Sequence, residues 1–397
     1  MNEIISLIKQ KAAAYKDEVI AIRRHLHQHP ELSFNEHNTS EFICQKLTDY
    51  NVEFQKGIVK TGVVALIKGN NPEKKVIALR GDIDALPIQE ENEVAYCSKN
   101  AGVMHACGHD VHTASLLGVI KILSELTDKF EGTIKCIFQP GEEKLPGGAS
   151  LMIKEGVLQN PSPTAIFGQH VYPQLIAGKV GFRKGMYMAS TDELYLTVIG
   201  KGGHAALPHL NIDPIMITAQ ILTALQQVVS RASNPVIPSV LSFGKIQANG
   251  ATNVIPDKVY LEGTFRTMDE EWRATAHEKI TAIAEQTAIA MGGKCEVEIR
   301  KGYPFLVNDE KLTSKAQEAA ELFLGKDNVV DLDLRMTAED FAYYSQEMPA
   351  CFYRLGTAFK DKTNSGLHTP TFNIDEAAIE TSIGLMSWLA VNELKAI

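Results

Sequence analysis

The stretch KKVIALRGDIDALP, residues 74–87, joins a short apolar run to a polar turn that ends at a proline. Its first half is aliphatic and bounded by charge, which is typical of a buried strand. The same composition recurs in TGVVALIKG at 61–69, GTIKCIFQP at 132–140 and TAIFGQHV at 164–171. A helical pattern, TASLLGVIKILSEL at 113–126, lies between the second and third of these runs. This alternation predicts a mostly parallel sheet that is covered on both faces.

A different pattern follows residue 186 and predicts a second domain. Its order is strand, helix, two strands, helix and strand, which is the ferredoxin-like arrangement. The segments are ELYLTVIGKG at 193–202, a helix at 214–229, VLSFGKIQA at 240–248, DKVYLEGTFRT at 257–267, a helix at 269–291 and KCEVEIRKG at 294–302. We therefore predict an α/β protein. Its first, discontinuous domain comprises residues 1–186 and 302–397, and an α+β domain is inserted at residues 187–301.

Composition and charge exclude several classes of function. The chain has 397 residues, of which 45% are hydrophobic and 22% charged, as in ordinary globular proteins of more than one domain. A net charge of −9 without a basic run argues against a nucleic-acid partner. No apolar stretch approaches the ~18 residues of a membrane-spanning helix, and MNEIISLIKQ lacks a secretion leader, so we expect no membrane partner. The sparse cysteines predict free thiols and a cytoplasmic location.

Potential metal ligands occur at well-separated places in the chain. They are Cys107, His109, Glu143, His170 and His368. Thiolate, imidazole and carboxylate together suit a transition metal, and the set exceeds what one tetrahedral ion requires. A structural zinc site usually takes its ligands in closely spaced pairs. Because only the first two ligands are close in sequence, a finished fold must assemble the site, and this is typical of a catalytic centre.

Cys107 and His109 require a turn between them. Residues two apart do not share a helix face, so both could reach one ion only from a turn or an extended segment, and Gly108 supplies that freedom. The helical pattern that begins at Thr113 follows directly, and a helix N-terminus favours a thiolate. Two other interpretations remain open, namely a buried structural cysteine beside a histidine and a nucleophilic cysteine with histidine as its base.

Glu142 and Glu143 are adjacent carboxylates that follow Pro140 and Gly141 at a strand end. Neighbours in an extended backbone point to opposite sides, so one could bind a metal while the other faces water. Since a metal ion lowers the pKa of its water from 15.7 to about 7, the second carboxylate could take that proton and pass it to a leaving amine. Adjacent glutamates are also common on protein surfaces, and that alternative remains open.

Asp82 and Asp84 follow the strand quoted first and fall on one side of an extended backbone. A carboxylate commonly accepts the outer N–H of an imidazole that binds a metal, so either residue could orient the site. Helix capping or a turn before Pro87 would explain them equally well.

The inserted segment carries polar residues that packing alone does not require. His204 lies on a glycine-rich turn after a strand, Asn253 precedes an Ile-Pro pair, and Arg266 lies near the end of GTFRT. Arginine presents a fork that matches a carboxylate, whereas histidine and asparagine can donate to a developing oxyanion. Ordinary surface or capping roles remain open for each of the three.

Taken in order, a series of motifs resembles the hippurate hydrolase and N-acyl-amino-acid amidohydrolase family. This family belongs to the clan of dinuclear aminoacylases, carboxypeptidase-G-like and peptidase-T-like enzymes. The motifs are HQHPELSFNE at 27–36, RGDIDALP at 80–87, MHACGHDVHTA at 104–114, FQPGEE at 138–143, GGHAALPH at 202–209, TNVIPD at 252–257, GTFRT at 263–267 and LHTP at 367–370. Each motif alone is weak, but their joint occurrence in this order is specific and covers nearly the whole chain.

The resemblance implies a zinc-peptidase-like catalytic domain with an inserted lid and dimerisation domain. It implies two divalent ions (Zn, Mn, Ni or Co) that share Cys107 as a bridging ligand. His109 and His170 would complete one site, and Glu143 and His368 would complete the other. In many relatives of the wider clan the bridging ligand is an aspartate, and the thiolate marks the amidohydrolase branch.

The resemblance also implies roles for further residues. Glu142 matches the general base, and Asp84 matches the aspartate that orients the metal site. His204, Asn253 and Arg266 match lid positions that contact substrate. His204 would reach across a dimer and donate to the oxyanion, while Arg266 with Asn253 would hold the α-carboxylate of the product.

We therefore expect a metal-dependent amidohydrolase that is a homodimer or higher homo-oligomer. Its substrates would be small N-acyl-L-amino acids, such as hippurate, N-acetyl amino acids or N-acetyl-diaminopimelate, and it would release a carboxylate and a free amino acid. The alternatives are a dipeptidase or carboxypeptidase of the same clan, a metal- or amino-acid-binding scaffold without turnover, and a thiol hydrolase that uses Cys107.

Overall fold

The structure is a computed structural model that describes residues 2–394. The chain divides into two compact units. The first unit comprises Met1–Gly185, Val307–Asp333 and Asp340–Ile397, and the second comprises Met186–Leu306 and Leu334–Glu339. The sequence predicts domain boundaries at 186/187 and 301/302 and gives no indication that the short segment 334–339 belongs to the second unit.

The helices and strands have the following bounds. The helices are α1 (Asn2–Gln28), α2 (His37–Asp49), α3 (His109–Ser124), α4 (Gly148–Lys154), α5 (Pro214–Gln227), α6 (Glu270–Ala290), α7 (Glu310–Leu324), α8 (Ala342–Glu347) and α9 (Ala378–Leu394). The strands are β1 (Glu53–Ile58), β2 (Gly62–Lys68), β3 (Val76–Asp82), β4 (Thr133–Gln139), β5 (Ile166–Ile176), β6 (Val180–Phe182), β7 (Gly185–Met188), β8 (Asp192–Ile199), β9 (Gly203–His204), β10 (Ser239–Ala248), β11 (Val254–Ile255), β12 (Lys258–Thr267), β13 (Lys294–Lys301), β14 (Leu306–Asn308), β15 (Val329–Asp331) and β16 (Ala350–Ala358).

The first unit is built on a sheet with the strand order β1-β2-β4-β3-β5-β16-β6-β15. Its centre, from β4 through β3 and β5 to β16, is parallel, which confirms the predicted mostly parallel sheet. The pairs β1–β2, β2–β4 and β16–β6 are antiparallel. Every residue of β3, β4 and β16 is buried, as expected for strands that are covered on both faces.

Helix α3 carries the start of the site and is fastened to α1. The sequence pattern predicts a start at Thr113, but the helix begins at His109. Almost every residue in it is buried. Asp110 in its first turn accepts a hydrogen bond from the Arg23 guanidinium at 2.7 Å and lies 2.8 Å from Nδ1 of His27. All three side chains are buried, so this ion pair fixes the N-terminus of α3 against α1.

The second unit has an antiparallel sheet with the order β10-β12-β8-β13. Residues in β8 alternate between buried and half-buried, which places one face of the sheet against α5 and α6. The elements follow the predicted ferredoxin-like sequence of strand, helix, two strands, helix and strand. Asp192 at the start of β8 is buried and accepts hydrogen bonds from Arg273 at 2.6 and 2.9 Å, and it lies 2.7 Å from Nε2 of His277.

The structure bears on the expected absence of a membrane-spanning helix and on the expected free thiols. Between residues 2 and 394, no helix is both long and apolar enough to span a lipid bilayer. The six cysteines are free thiols, and one of them, Cys107, lies in the candidate site.

Candidate metal centre

The loop into α3 places Cys107 and His109 on either side of Gly108. Gly108 has a φ of 83°, in the left-handed region that glycine adopts without a steric penalty. A Cβ at this position would lie 2.5 Å from Cγ2 of Val171, so β5 approaches this backbone closely. Cys107 and His109 are both buried, and the turn between them lets both side chains face the same space.

The first group of potential ligands consists of Cys107, His109 and His170. One ligand atom from each lies within 4.8 Å of the others, and Sγ of Cys107 is 3.4 Å from Nε2 of His170. The sequence pattern predicts that His170 ends its strand. In the structure the strand, β5, continues to Ile176. The histidine therefore projects from within a central strand of the sheet.

The second group consists of Cys107, Glu143 and His368, and it shares the cysteine with the first group. Nε2 of His368 lies 3.4 Å from Sγ of Cys107 and 3.3 Å from Oε1 of Glu143. His368 has a φ of 60°, and its backbone N–H donates to the carbonyl oxygen of Ala106 at 2.9 Å. This residue is the exposed member of the group, with 53% of its side-chain surface accessible.

Two buried atoms at the centre of these groups make no hydrogen bond with suitable geometry within the described residues, although Nε2 of His368 lies 3.3 Å from one of them. They are Nε2 of His109 and Oε1 of Glu143, and they lie 3.9 Å apart. A buried polar atom normally has a partner, so an atom left without one indicates a missing ion or water. The donor set of thiolate, imidazole and carboxylate matches the ligands that bind zinc and similar divalent ions. The residues therefore fit a metal centre.

The thiol of Cys107 also needs a cation to ionise. Burial raises its pKa well above the ordinary value, and the charges of Glu143, Glu142 and Asp82 raise it further. Metal coordination reverses this effect, since a coordinating thiol loses its proton. Without an ion the sulfur is a thiol, so the surroundings disfavour the free thiolate that a cysteine nucleophile would require.

Asp84 orients the imidazole of His109. Nδ1 of His109 donates to the carbonyl oxygen of Asp84 at 3.0 Å and lies 3.2 Å from its Oδ1. Burial disfavours the charged imidazolium, but Asp82, Asp84 and Glu143 outweigh it and raise the pKa of His109 to about 10. Binding of a cation at Nε2 therefore displaces a proton.

Glu142 lies beside the potential ligands in a turn after β4. The sequence predicted extended backbone at this position. It is buried, and one of its carboxylate oxygens lies within 4.8 Å of ligand atoms of His109 and Glu143. The backbone N–H of Asp340 faces Oε1 of Glu142 at 3.4 Å. The carboxylate is thus held at the edge of the ligand cluster.

A further histidine, His112, lies one helical turn after His109, and the sequence patterns did not single it out. Its Nε2 accepts the backbone N–H of Val171 at 3.0 Å, so its Nδ1 carries the proton that is donated to Oδ1 of Asp82 at 2.5 Å. Burial lowers the pKa of His112, in agreement with a neutral ring. The spacing of His109 and His112 on one helix face was the available signal.

A buried ion network below the site was also missed. Arg80 donates to Oδ2 of Asp82 at 2.5 Å, to Oδ1 of Asp340 at 2.7 Å and to Oε1 of Gln139 at 2.9 Å. Burial raises the pKa of Asp340 to about 6, although the charge of Arg80 opposes that rise. This network ties the ends of β3 and β4 to the residue whose backbone faces Glu142.

The remaining predicted site residues, His204, Asn253 and Arg266, lie in the second unit. His204 is exposed on β9, which pairs with β11, and the N–H of Ala205 donates to the carbonyl oxygen of Asn253 at 3.0 Å. Arg266 lies on β12 and donates to the carbonyl oxygen of Met336 at 3.1 Å. Burial lowers the pKa of its guanidinium. The pairing of β9 with β11 thus brings His204 and Asn253 close together, whereas Arg266 lies on a different strand, β12.

The chain is similar to known proteins in sequence and in structure. Residues 78–392 match the sequence profile of the peptidase family M20/M25/M40. An N-acetyl-L-cysteine deacetylase of Bacillus subtilis is 41% identical over 382 residues, which cover 95% of this chain and 89% of that protein. An N-acyl-L-amino acid amidohydrolase of Geobacillus stearothermophilus is 44% identical over 301 residues, or 76% of this chain and 80% of that protein. The crystal structure of the Bacillus subtilis YXEP protein, a dinuclear metal-binding peptidase of the M20 family, is similar with a TM-score of 0.82 at 37% identity and covers 97% of this chain and 100% of that one.

Proposed function

The chain belongs to the peptidase family M20/M25/M40, and on that premise we propose that it hydrolyses the amide bond of N-acyl-L-amino acids with two divalent cations as cofactors. The observation that carries the proposal is the pair of ligand groups that share one cysteine. The residues that would hold the cations are Cys107, His109, Glu143, His170 and His368. The deacetylase and amidohydrolase relatives support the choice of substrate class.

Glu142 is proposed as the general base and acid. The cations, when bound, would supply polarisation of a carbonyl group and a lower pKa for water. The carboxylate of Glu142 would take a proton from the attacking water and deliver it to the nitrogen of the leaving amine. Its buried position beside His109 and Glu143 supports this role, because it places a carboxylate next to the ligands where the attacking water would be bound.

Asp84 is proposed to fix the protonation state of His109. Because Nδ1 of His109 faces two oxygens of Asp84, its proton stays on that nitrogen, and Nε2 presents a lone pair to the centre. The same carboxylate accepts the backbone N–H of Glu143 at 3.0 Å. Asp84 would therefore orient a ligand from α3 and a ligand from the turn after β4 at once.

Residues of the second unit are proposed to bind the substrate. His204 would donate to the oxyanion that develops on the scissile carbonyl, and Arg266 with Asn253 would hold the α-carboxylate. The exposure of His204 supports a role toward a ligand or a second chain. The partial burial of Arg266 supports anion binding, because a charge–charge hydrogen bond is stronger where water is excluded.

We also propose that the protein is a homo-oligomer of at least two chains, located in the cytoplasm. β10 lies at an edge of the four-stranded sheet and exposes Ile246, and α5 exposes Met216, each at more than half of its surface. An unpaired strand edge with exposed apolar residues suits pairing with a second copy. The free thiols support a reducing compartment. Light scattering coupled to size-exclusion chromatography would test the oligomeric state.

A substrate panel with defined metals tests the proposed function. Metal-depleted protein is reconstituted with Zn²⁺, Mn²⁺, Ni²⁺ or Co²⁺ and incubated with N-acetyl-L-amino acids, hippurate, N-acetyl-diaminopimelate and dipeptides. We expect free amino acid from the N-acyl compounds, and loss of that release with a chelator. Release from dipeptides alone would favour a peptidase. Activity that survives the chelator but not alkylation would favour a thiol hydrolase, and metal binding without release would indicate a scaffold.

A further inference from the structure

A segment before α2 contacts the turn that carries Glu142 and Glu143. We call its residues Ser33, Phe34 and Glu36 the N-terminal brace. The segment runs beside the end of β3, where Leu32 forms a parallel bridge with Ala85. The motif HQHPELSFNE contributed to the family resemblance, but the proposed reaction assigns no role to it.

Glu36 binds the turn through its carboxylate. Oε1 accepts the backbone N–H of Gly141 at 2.9 Å and that of Phe34 at 2.8 Å, and Oε2 accepts the hydroxyl of Thr61 at 2.7 Å. The side chain is fully buried. Because Gly141 directly precedes Glu142, a hydrogen bond to its N–H restrains the backbone from which the proposed base projects.

Phe34 reinforces this contact at the cost of backbone strain. Its φ is 65°, a value that bulky residues rarely adopt, and its own N–H is held by Glu36. A Cβ at Gly141, whose φ is 64°, would lie 2.4 Å from the ring of Phe34. The ring therefore packs directly against the backbone of Gly141 and leaves no room for a side chain there. Strain of this kind persists only where surrounding contacts enforce it, and it is concentrated at functional sites.

Ser33 extends the brace to the metal ligands. Its hydroxyl donates to Oδ2 of Asp84 at 2.6 Å, and the same oxygen accepts the backbone N–H of Glu143. Asp84 in turn faces Nδ1 of His109. The brace thus contacts the turn after β4 directly, and it reaches the ligands on both sides through Asp84.

We propose that Glu36 is a positioning residue, which holds the turn at Gly141 so that Glu142 and Glu143 face the metal centre. This inference rests on the proposed function, since it assigns to those two glutamates their roles as base and ligand. Glu36 belongs to none of the potential ligand groups, and its hydrogen bond to the turn is to the backbone N–H of Gly141. A displacement of about 1 Å in a catalytic group can lower a rate by about 100-fold, so such a residue has measurable consequences.

An amide should replace the carboxyl group of Glu36. The carbonyl oxygen of glutamine can accept both N–H groups, and its NH₂ can donate to the hydroxyl of Thr61. Burial, followed by the charge of Asp84, raises the pKa of Glu36 to about 7, so the native carboxyl is itself partly neutral near neutral pH. Alanine removes all three hydrogen bonds. Aspartate keeps the carboxylate, but its side chain is one methylene group shorter and places that group farther from the N–H of Gly141.

The test compares Glu36→Ala, Glu36→Asp and Glu36→Gln in the full chain loaded with Mn²⁺. We expect Ala and Asp to lower kcat by about 10- to 100-fold with little change in KM, and to raise the dissociation constant of Mn²⁺ measured against a chromophoric chelator. Gln should restore most of both properties. Glu31→Ala is the matched control, because Glu31 lies in the same motif but its carboxylate binds α2, where it accepts the backbone N–H of Thr39 at 2.8 Å.

Wild-type kcat and Mn²⁺ affinity in Glu36→Ala would overturn the inference, as would an equal loss in Glu31→Ala. If Glu36→Ala does not fold, as judged by thermal unfolding, Glu36→Asp decides the question by the same two measurements. A wild-type protein that neither binds Mn²⁺ nor releases amino acid would instead refute the proposed function. The two failures are therefore distinguishable.

Discussion

Nε2 of His368 lies 3.4 Å from Sγ of Cys107, although 261 positions separate the two residues in the chain. The approach is fixed by backbone as well as by side chains, since the N–H of His368 donates to the carbonyl oxygen of Ala106. His368 holds a φ of 60°, a left-handed value that is uncommon for residues other than glycine. The last of the proposed ligands therefore comes from the C-terminal part of the chain, in a left-handed backbone conformation.

Replacement of Glu142 by glutamine should separate chemistry from metal binding. Glu142→Gln removes the proton acceptor without a change in shape, and we expect kcat to fall by about 10²- to 10⁴-fold. Metal analysis should still find two ions per chain. Glu347→Gln, at an exposed position, serves as the control and should behave like the wild type. A near-native kcat in Glu142→Gln would remove the proposed role.

Gly108→Ala should weaken metal binding because it displaces the ligands on either side. The new Cβ would meet Val171 at 2.5 Å in a backbone that already has a φ of 83°. We expect the metal dissociation constant to rise by about 10- to 100-fold, as when a partner of a ligand is lost. Gly102→Ala is the matched control, because Gly102 has a φ of 75° with nothing within 4 Å. Equal metal affinities in the two variants would contradict the account.

Arg266→Ala should affect substrates according to their charge. If Arg266 holds the α-carboxylate, its removal should raise KM for N-acetyl amino acids by about 10- to 100-fold, as expected for a hydrogen bond between charged groups. The corresponding amidated substrates should be much less affected. Arg300→Ala provides a control at an exposed position of the same unit. An equal rise in KM for both kinds of substrate would exclude this assignment.

Asp192→Asn should destabilise the protein in a pH-dependent manner. Burial alone would raise the pKa of Asp192, but His277 and Arg273 outweigh it and lower the pKa. Its contribution is therefore present above the unfolded-state value of about 4 and is lost as the pH falls toward the lower folded-state value. At pH 7 we expect a loss of about 3–5 kcal/mol in the free energy of unfolding, because Arg273 stays buried.

Urea denaturation of the wild type and Asp192→Asn at several pH values measures this difference. The gap between the two proteins should narrow as the pH falls below about 4. Asp327→Asn, at an exposed position, should match the wild type throughout. A gap that does not change between pH 7 and pH 3 would show that the ionised carboxylate is not the source of the stability.

The sequence predicted the architecture because the apolar runs of buried strands carry a strong local signal. It was less informative about where elements end. The strand that contains His170 continues through Pro173, a residue that normally argues against a strand interior, and the pairing of β5 with β16 shifts between Gly356 and Ala358. Such a shift depends on the neighbouring strand and cannot be predicted from one segment.

Some residues of the candidate site could be predicted from local motifs, whereas others are recognisable only from contacts between distant segments. The ligands could be proposed from sequence because thiolate, imidazole and carboxylate side chains stood in recognisable motifs. The pairing of Arg80 with Asp340 spans 260 positions, and nothing in either local sequence indicates it. Glu36 is 105 positions from Gly141, and its contact with that backbone becomes visible only when the two segments meet in the fold.

The central claim is that one sulfur is shared between two cations. Crystals grown with Mn²⁺ or Zn²⁺ and measured at the absorption edge of the metal test it directly, since anomalous scattering locates each ion without reference to the protein. We expect two peaks about 3.5–4 Å apart, with Sγ of Cys107 bonded to both. A sulfur without a metal neighbour, or ions bound away from His109, His170 and His368, would contradict the account.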